Sequence, residues 1–548
     1  MGGARRAGTA TAETGWTMAT VREATYELLR ALEMTTVFGN PGSTEEPFLG
    51  DFPDDFSYIL ALQEASAVAM ADGYAQVTGS PAHVNLHTAP GVGNGMGNLI
   101  TAWHNKTPLI VTAGQQTREM LLLEPRLTNL RAAELAQPYV KWGYEPVRAQ
   151  DIPAALMRAY ATAVQPPAGP VLLSLPLDDW DQPATGTPVQ RRLSTRFAPD
   201  PHRLRQFADV LTSSRRPILV TGAGVDRSNG WAAAVALAER LGAPVWAAPA
   251  SERAGFPEDH PQFQGALPFA IGPLAERLRG HDTVLVVGAP VFRYYPYVAG
   301  EYLPAGSRLL HVTDDPDEVA RAPVGDSLLG DPELTCTALA NLLPSEDAPA
   351  HAGRPAEPLP EMGTPLSPDA VFAVLARHWP ADAILVQESP SSLAALRRYL
   401  RITRPASYFA SASGGLGYGL PAAVGIALAT RHTGQNRPVI AVIGDGSFQY
   451  SVQALWTAAQ HALPVVFVVP VNRQYAILKS FAGLKQTPGV PGLDLPGLDI
   501  PLIARGFGCA ASTVETSDEL AAAITAALGA TGPTVLAVPI SSEVPPLL

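Results

Sequence analysis

The 548-residue chain has only two cysteines, Cys336 and Cys509. Neither has a second thiol nearby or the spacing of a metal-binding cysteine cluster, so the sequence offers no support for a disulfide framework or a thiolate metal site. Cys336 lies in a predicted helix and Cys509 lies near a predicted strand. Few and scattered cysteines are typical of a reducing compartment, and we expect a cytoplasmic protein.

Two further absences narrow the function. The chain has no run of basic residues, and 38 Lys and Arg against 50 Asp and Glu give a net charge of −12, which argues against nucleic acid as a partner. No uninterrupted apolar stretch reaches about 18 residues, the length needed to span a membrane. The first sixteen residues contain two arginines but no apolar segment typical of a secretory signal. We therefore expect a soluble protein that does not bind membranes.

The length predicts about three domains of ~150–200 residues each. Apolar strand-like runs alternate with helical patterns throughout, which favours an α/β fold with three doubly wound parallel-sheet domains. A Pro-rich, aperiodic segment at 344–367 indicates a linker. We predict a flexible extension at 1–17 and domains at 18–195, 196–343 and 368–548.

The most informative stretch is residues 439–481, where two apolar runs flank a turn and a helical segment. This pattern predicts a strand, a turn, a helix and a strand. Asp445 follows the first strand and Asn472 follows the second, so both should lie at the same sheet edge. Their oxygens suit Mg²⁺, and the helix opened by Gly446 and Ser447 would attract an anion. Alternatively, Gly-Asp-Gly is an ordinary turn between a strand and a helix.

In the first predicted domain, three successive strands end at residues with catalytic potential. Ser43, Glu64 and His87 would lie together at the carboxyl edge of the sheet, where open α/β sheets bind ligands. Two of them have an ordinary alternative: Glu64 could complement a helix dipole, and His87 could be a hydrogen-bonded core histidine. A glycine-rich loop, residues 91–97, follows His87 and is weak evidence alone.

Several segments together resemble one enzyme family: FGNPGSTEEPFLGDFP, YILALQEA, AWHNKTPLIVTAGQQTR, GAPVFRY and the GDG…N pattern. They are similar to thiamine-diphosphate-dependent 2-oxo acid decarboxylases, in particular those that act on benzoylformate. The resemblance covers nearly the whole chain from about residue 20. It implies pyrimidine-binding, central and diphosphate-binding domains, with thiamine diphosphate and Mg²⁺ (or Ca²⁺) as cofactors.

The resemblance also implies roles for individual residues. Glu64 aligns with the carboxylate that activates the cofactor's pyrimidine ring, while Ser43 and His87 would hold the substrate carboxylate and pass protons. Asp445, Asn472 and Gln474, the last through its main-chain carbonyl, would bind the metal. Tyr295 occupies the position of a second catalytic histidine. The remaining cofactor contacts would be Asn40, Gly42, Ser391, Gly414, Leu416, Gly446, Ser447 and Tyr475. The apolar walls of the substrate pocket would be Leu127, Leu478 and Phe481.

The implied reaction is the non-oxidative decarboxylation of an aromatic 2-oxo acid, most simply benzoylformate to benzaldehyde and CO₂. Two alternatives are a carboligase or lyase that makes or cleaves acyloins, and a catalytically silent cofactor-binding paralogue. Val471 and Arg473 flank Asn472 and depart from the usual motif, as does Tyr295. The family forms its site between subunits, which implies a homodimer at least and, as in close relatives, a homotetramer.

Overall fold

The computed structural model describes residues 19–344, 351 and 353–547. The predicted extension at 1–17 and part of the predicted linker lie outside the described residues. The described chain contains three six-stranded sheets in which every pairing of neighbouring strands is parallel. The prediction of an α/β fold with three doubly wound parallel sheets is confirmed.

The first sheet is covered by helices on both faces, and its central strands are buried along their whole length because neither face meets water. Its elements are α1 (Val21–Ala31), β1 (Thr36–Asn40), α2 (Glu46–Leu49), β2 (Ser57–Leu60), α3 (Glu64–Thr78), β3 (Ala82–Leu86), α4 (Thr88–Asn105), β4 (Leu109–Gln115), β5 (Gly143–Tyr144), α5 (Ile152–Val164) and β6 (Val171–Pro176). The strand order is β2-β1-β3-β4-β6-β5.

The second sheet has the strand order of a doubly wound dinucleotide-binding fold, β12-β11-β10-β7-β8-β9. Its elements are α6 (Pro201–Ser213), β7 (Pro217–Thr221), α7 (Ala223–Arg227), α8 (Trp231–Leu241), β8 (Val245–Ala247), β9 (Phe263–Ala266), α9 (Ile271–Leu278), β10 (Thr283–Val287), β11 (Arg308–Thr313), α10 (Pro316–Arg321), β12 (Asp326–Leu329) and α11 (Pro332–Leu342).

The third sheet repeats the topology of the first, with the order β14-β13-β15-β16-β18-β17. Its elements are α12 (Pro368–Arg377), β13 (Ile384–Glu388), α13 (Leu393–Tyr399), β14 (Tyr408–Ala410), α14 (Gly419–His432), β15 (Val439–Ile443), α15 (Asp445–Phe448), α16 (Ala454–Gln460), β16 (Val465–Val471), α17 (Ala476–Lys485), α18 (Ile500–Gly506), β17 (Ala510–Thr513), α19 (Ser517–Leu528) and β18 (Thr534–Pro539). The sheets lie at 36–176, 217–329 and 384–539, and the exact domain boundaries stay a prediction.

The single helix predicted after Gly444 is wrong, because the chain forms two helices, α15 and α16, with a turn between them. In this turn the Ser451 hydroxyl donates a 2.8 Å hydrogen bond to the carbonyl oxygen of Gly417. The Tyr450 side chain also lies close to Gly417. The break therefore fits the turn against the loop that precedes α14, a tertiary contact that local helix periodicity does not encode.

The first and third units share one hydrophobic core through the crossing of α3 and α14. The backbones approach so closely that a Cβ on Gly73 would overlap the Ala422 carbonyl, and a Cβ on Gly425 would overlap that of Met70. Small residues permit this contact, which explains why both helices are rich in Ala and Gly. The two units therefore pack as one body within the chain.

Two smaller features complete the fold. Cys336 and Cys509 are both buried and both carry free thiols, as the sequence predicts. Within the part of the chain that the structure describes, every helix is either too short or too polar to cross a membrane.

Candidate active site

The carboxyl edge of the first sheet brings together the residues predicted from the first domain. Asn40 is the last residue of β1, which pairs with both β2 and β3. Glu64 begins α3 after β2, and His87 immediately precedes α4 after β3. Three adjacent strand ends thus deliver the polar side chains of Asn40, Glu64 and His87 to one edge.

Glu64 is buried and held by two amides rather than by a cation. Asn40 Nδ2 lies 3.3 Å from one carboxylate oxygen, and Asn94 Nδ2 donates to the other at 3.1 Å. Asn94 is on α4, so the carboxylate is fixed from two elements. Its position at the first turn of α3 also places it in the favourable field of the helix N-terminus. The carboxylate has a fixed orientation and is suited to accept a further hydrogen bond.

His87 is fixed from one side of its ring. Its Nδ1 lies 2.8 Å from a Glu45 carboxylate oxygen and 3.1 Å from the Thr44 hydroxyl. Gly42 packs so close to the ring that any larger residue would overlap it. Ser43 is exposed beside this group, and its hydroxyl has no hydrogen-bond partner among the residues described. His87 and Ser43 thus offer polar groups to a ligand at the same edge.

The carboxyl edge of the third sheet brings Asp445 to the segment that contains Asn472. One Asp445 oxygen accepts from the Arg473 amide at 2.6 Å, and the other accepts from the Gly446 amide at 2.9 Å. Asn472 follows β16, which pairs with the strand before Asp445. Its side-chain oxygen accepts from the Gln474 amide at 3.1 Å. The predicted meeting of the two strand ends is therefore present.

The oxygen atoms of Asp445 and Asn472 are suitable ligands for a hard divalent cation. Burial raises the pKa of the Asp445 carboxyl, so a bound cation would offset the cost of its charge. The Gln474 side chain is already bonded to the Ser542 carbonyl and to Lys479, which leaves its main-chain oxygen as the third donor. The described residues contain no cluster of three His, Cys, Asp or Glu side chains that could bind a metal. One carboxylate, one amide and one main-chain oxygen are the available set.

The other residues predicted to contact the cofactor from this unit lie in several of its segments. Gly446 and Ser447 are buried in α15, and the Tyr475 ring packs on Gly446 so closely that a Cβ there would lie 2.5 Å from a ring carbon. Ser391 lies in a single 3₁₀ turn after β13. Gly414 has a φ of +76°, a conformation that favours glycine. Leu416 is half-buried in the same loop.

Glu388, which the sequence analysis missed as a functional residue, connects these segments. Its buried carboxylate accepts hydrogen bonds from the Gly417 amide at 2.6 Å and from the Gly419 amide. Burial raises its pKa to about 7, against the opposing effect of these hydrogen bonds. Glu388 therefore anchors the loop containing Gly414 and Leu416 to the end of β13.

Tyr295 of the second unit, which is exposed, and Phe481 of the third unit, which is half-buried, form an aromatic pair. Their ring centroids lie 5.0 Å apart, and Tyr295 is 68 % exposed. Leu478 lies on the same helix as Phe481 and is also exposed. Leu127 is exposed on a loop of the first unit. The three predicted wall residues, Leu127, Leu478 and Phe481, are therefore at least partly exposed on the first and third units.

Comparison with known proteins decides the family. Three thiamine pyrophosphate enzyme models match the chain: the N-terminal TPP binding domain at residues 19–133, the central domain at 204–339 and the C-terminal TPP binding domain at 391–538. The chain is 49 % identical over 526 residues to a benzoylformate decarboxylase of Pseudomonas aeruginosa, covering 95 % of this chain and 99 % of that protein. It belongs to the thiamine-diphosphate-dependent 2-oxo acid decarboxylases.

Two solved structures of this decarboxylase family are very similar to the chain. A benzoylformate decarboxylase from Polynucleobacter necessarius superposes with a TM-score of 0.95 at 52 % identity, covering 96 % of this chain and all of that chain. A 4-hydroxybenzoylformate decarboxylase from Rhodococcus jostii gives 0.93 at 44 % identity with the same coverage. The family resemblance noted from the sequence is confirmed, and the chain is an enzyme of the carbon-carbon lyase class.

In this decarboxylase, three residues that position the predicted ones were not identified from the sequence. Asn94 holds Glu64, Glu45 contacts His87, and Glu388 anchors the 414–419 loop. Glu45 and Glu388 are buried carboxylates whose partners lie far along the chain. The available signal was weak: Glu388 ends an apolar strand, and Glu45 follows the Asn-Pro-Gly-Ser turn. The roles of the individual site residues stay predictions.

Proposed function

We propose that this enzyme decarboxylates benzoylformate to benzaldehyde and CO₂. The proposal rests on two sheet edges of the chain that present complementary polar groups. One edge presents Glu64 fixed between two asparagine amides, and the other presents Asp445 beside Asn472. Relatives whose names specify benzoylformate and 4-hydroxybenzoylformate support an aromatic substrate.

Thiamine diphosphate, when bound, supplies the electron sink that accepts the electrons released with CO₂. Asp445, Asn472 and the main-chain oxygen of Gln474 would hold Mg²⁺, with Ca²⁺ as a substitute. Cofactor contacts would come from Ser391, Gly414, Leu416, Gly446, Ser447 and Tyr475 at the third sheet and from Asn40 and Gly42 at the first. Glu64 would hold the pyrimidine ring by accepting a hydrogen bond.

Ser43 and His87 would bind the substrate carboxylate and exchange protons with the reacting group. Both lie at the first sheet edge, and His87 is fixed through Nδ1, which directs its other ring nitrogen away from the protein contacts. Leu127, Leu478 and Phe481 would contact the aryl ring. The exposed Tyr295 beside Phe481 would close the pocket.

The complete site would form between two copies of the chain, one contributing Glu64 and the other Asp445. The loop that carries Leu127 supports this proposal, since its neighbours Leu122 and Leu123 are 92 % and 75 % exposed. Contiguous apolar side chains exposed in this way are typical of a surface covered by a partner. We propose a homodimer as the minimum active unit, a homotetramer as the full assembly and a cytoplasmic location.

Carboligation is the second candidate, because Tyr295 replaces a proton-transferring histidine. Tyrosine has a reference pKa of about 10 and exchanges protons near neutral pH far less readily than histidine. Slower protonation of the product would leave time for reaction with an added aldehyde. The ratio of acyloin to aldehyde formed from benzoylformate separates the two functions.

The test is an assay of benzoylformate consumption by the holoenzyme, with benzaldehyde and CO₂ quantified. The proposal predicts one benzaldehyde and one CO₂ per benzoylformate, and loss of turnover when thiamine diphosphate or divalent cation is withheld. An aliphatic 2-oxo acid of similar size serves as the control and should react much more slowly. Preference for the aliphatic acid would contradict the aromatic substrate.

A further inference from the structure

The two ring nitrogens of His87 have different hydrogen-bonding surroundings. Nδ1 faces two oxygen atoms, from Glu45 and Thr44, whereas Nε2 has no hydrogen-bond partner among the residues that the structure describes. The Thr44 hydroxyl donates its only hydrogen to the other Glu45 oxygen at 2.7 Å, so it presents a lone pair to the ring. Both neighbours of Nδ1 are acceptors, and Nδ1 must therefore carry a hydrogen.

Glu45 is built into the protein as an acceptor. Its side chain is 1 % exposed, and each of its two oxygens accepts two hydrogen bonds. One oxygen accepts from Thr44 and from the Gly114 amide at 2.8 Å; the other accepts from His87 and from the Gly42 amide at 2.9 Å. Four donors match the four lone-pair positions of a carboxylate. If glutamine replaced Glu45, its NH₂ group would face hydrogen-bond donors and find no acceptor.

The glycines around this contact provide room for it. A Cβ on Gly114 would overlap a Glu45 oxygen, and a Cβ on Gly42 would overlap the His87 ring. Neither glycine has a positive φ, so the backbone conformation does not require glycine at these positions. Glycine is needed at both positions because a side chain there would block the close approach of Glu45 and His87.

The residue after His87 is strained in a way that fits the same contact. Thr88 is buried with a φ of +48°, a strained conformation that a β-branched residue rarely adopts. Its hydroxyl is buried without a partner in the described structure. Strain of this kind persists where the surroundings fix the backbone, here at the junction of β3 and α4 that sets the direction of His87.

We propose that Glu45 is the positioning residue of His87: it accepts the Nδ1 hydrogen, fixes that tautomer and turns Nε2 toward the substrate. The inference rests on the proposed function, in which His87 contacts substrate. Glu45 itself does not touch the reacting atoms. It acts through His87, so its removal should lower the rate of the proton-dependent steps and leave cofactor binding intact.

The first test is the tautomer of His87 in the parent holoenzyme, measured by NMR of ¹⁵N-histidine-labelled protein and assigned with a His87→Ala variant. We expect a hydrogen on Nδ1. A neutral ring with its hydrogen on Nε2 and a free lone pair on Nδ1 would overturn the proposal. This measurement needs no Glu45 variant. It tests whether Nδ1 donates a hydrogen to Glu45 even if benzoylformate were not the substrate.

The second test is kinetic and uses Glu45→Gln, with Glu46→Gln as a matched control on the adjacent exposed carboxylate. We expect kcat for benzoylformate to fall on the order of 10²-fold in Glu45→Gln, with KM and the cofactor Kd changed only a few-fold. Glu46→Gln should match the parent. Removing the positioning residue should add no further loss in a His87→Ala background, because the two act as a unit.

If Glu45→Gln lowered kcat by the same factor in the parent and in the His87→Ala background, the proposal would be refuted. Glu45 would then be a structural residue of the 40–45 loop. If Glu45→Gln did not fold, Glu45→Asp would take its place, since it keeps the charged acceptor. We expect Glu45→Asp to retain the Nδ1 hydrogen and to lose less than about 10²-fold in kcat relative to the parent. An Nε2 tautomer in Glu45→Asp with full activity would also contradict the proposal. A parent enzyme inactive on benzoylformate would instead contradict the proposed function.

Discussion

Glu388 gives a prediction about pH that can be worked out from the structure. Its carboxyl is buried and has a pKa raised to about 7 from an ordinary value of 4.5. Because burial disfavours the charge, the folded protein holds the proton at pH values where the unfolded chain has released it. The stabilising effect is complete below about pH 4.5 and is lost as the pH rises through 7.

The size of the effect follows from the shift. A change from 4.5 to about 7 corresponds to about 3 kcal/mol of stability lost between pH 4 and pH 8. For a unit of roughly 150–250 residues this is about 6–12 °C in Tm. Glu388→Gln cannot ionise, so its Tm should change less over this pH range than that of the parent. At low pH the variant should be less stable, because glutamine offers only one acceptor to the Gly417 and Gly419 amides.

The assay is scanning calorimetry of the cofactor-free protein at several pH values between 4 and 8. The difference in Tm between parent and Glu388→Gln should narrow as the pH rises. Glu361→Gln, which changes an exposed carboxylate, is the matched control and should follow the parent. Parallel Tm profiles for the parent and Glu388→Gln would show that Glu388 is ionised in both states and would refute the reasoning.

Four further predictions follow from the site and the core. Asp445→Ala should abolish thiamine diphosphate binding in calorimetry, as should a chelator, because the diphosphate loses its bridging cation; unchanged affinity would contradict the metal assignment. Glu64→Gln should slow exchange of the cofactor's thiazolium C2 proton, followed by NMR, by orders of magnitude while the cofactor still binds; equally fast exchange would leave Glu64 a residue of the helix N-terminus. Tyr295→His should lower the ratio of acyloin to aldehyde formed from benzoylformate and benzaldehyde, and equal ratios with equal turnover would make Tyr295 a wall residue. Gly425→Ala should destabilise the fold by about 1–3 kcal/mol or more, seen as a lower Tm, because the added methyl group meets the Met70 carbonyl; an unchanged Tm would mean that α3 and α14 separate easily.

The elements with strong local signals were predictable from the sequence. They include two helices, Trp231–Leu241 and Pro368–Arg377, and two strands, Pro217–Thr221 and Thr283–Val287. Their apolar runs are bounded by clear start and stop residues, so local pattern and tertiary structure agree. The meeting of Asp445 with the Asn472 segment was also predictable, since the handedness of parallel crossovers fixes it.

The parts that depend on distant contacts were not predictable. The edge strand Ala510–Thr513 is mostly exposed and lacks an apolar run, so its identity comes from pairing with Thr534–Pro539. The break between Phe448 and Ala454 comes from packing against Gly417. Glu45 contacts a histidine that lies 42 positions away, and no local pattern distinguishes it from the exposed Glu46 beside it.

The central claim is that the chain converts an aromatic 2-oxo acid to an aldehyde and CO₂ with thiamine diphosphate and a divalent cation. The most direct measurement supplies benzoylformate labelled with ¹³C at the carboxyl and keto carbons to the cofactor-free protein, then to the protein with both cofactors, and follows the products by ¹³C NMR. We expect labelled CO₂ and labelled benzaldehyde in equal amounts, only when both cofactors are present. Intact benzoylformate in the presence of bound cofactor, or decarboxylation without it, would contradict this function.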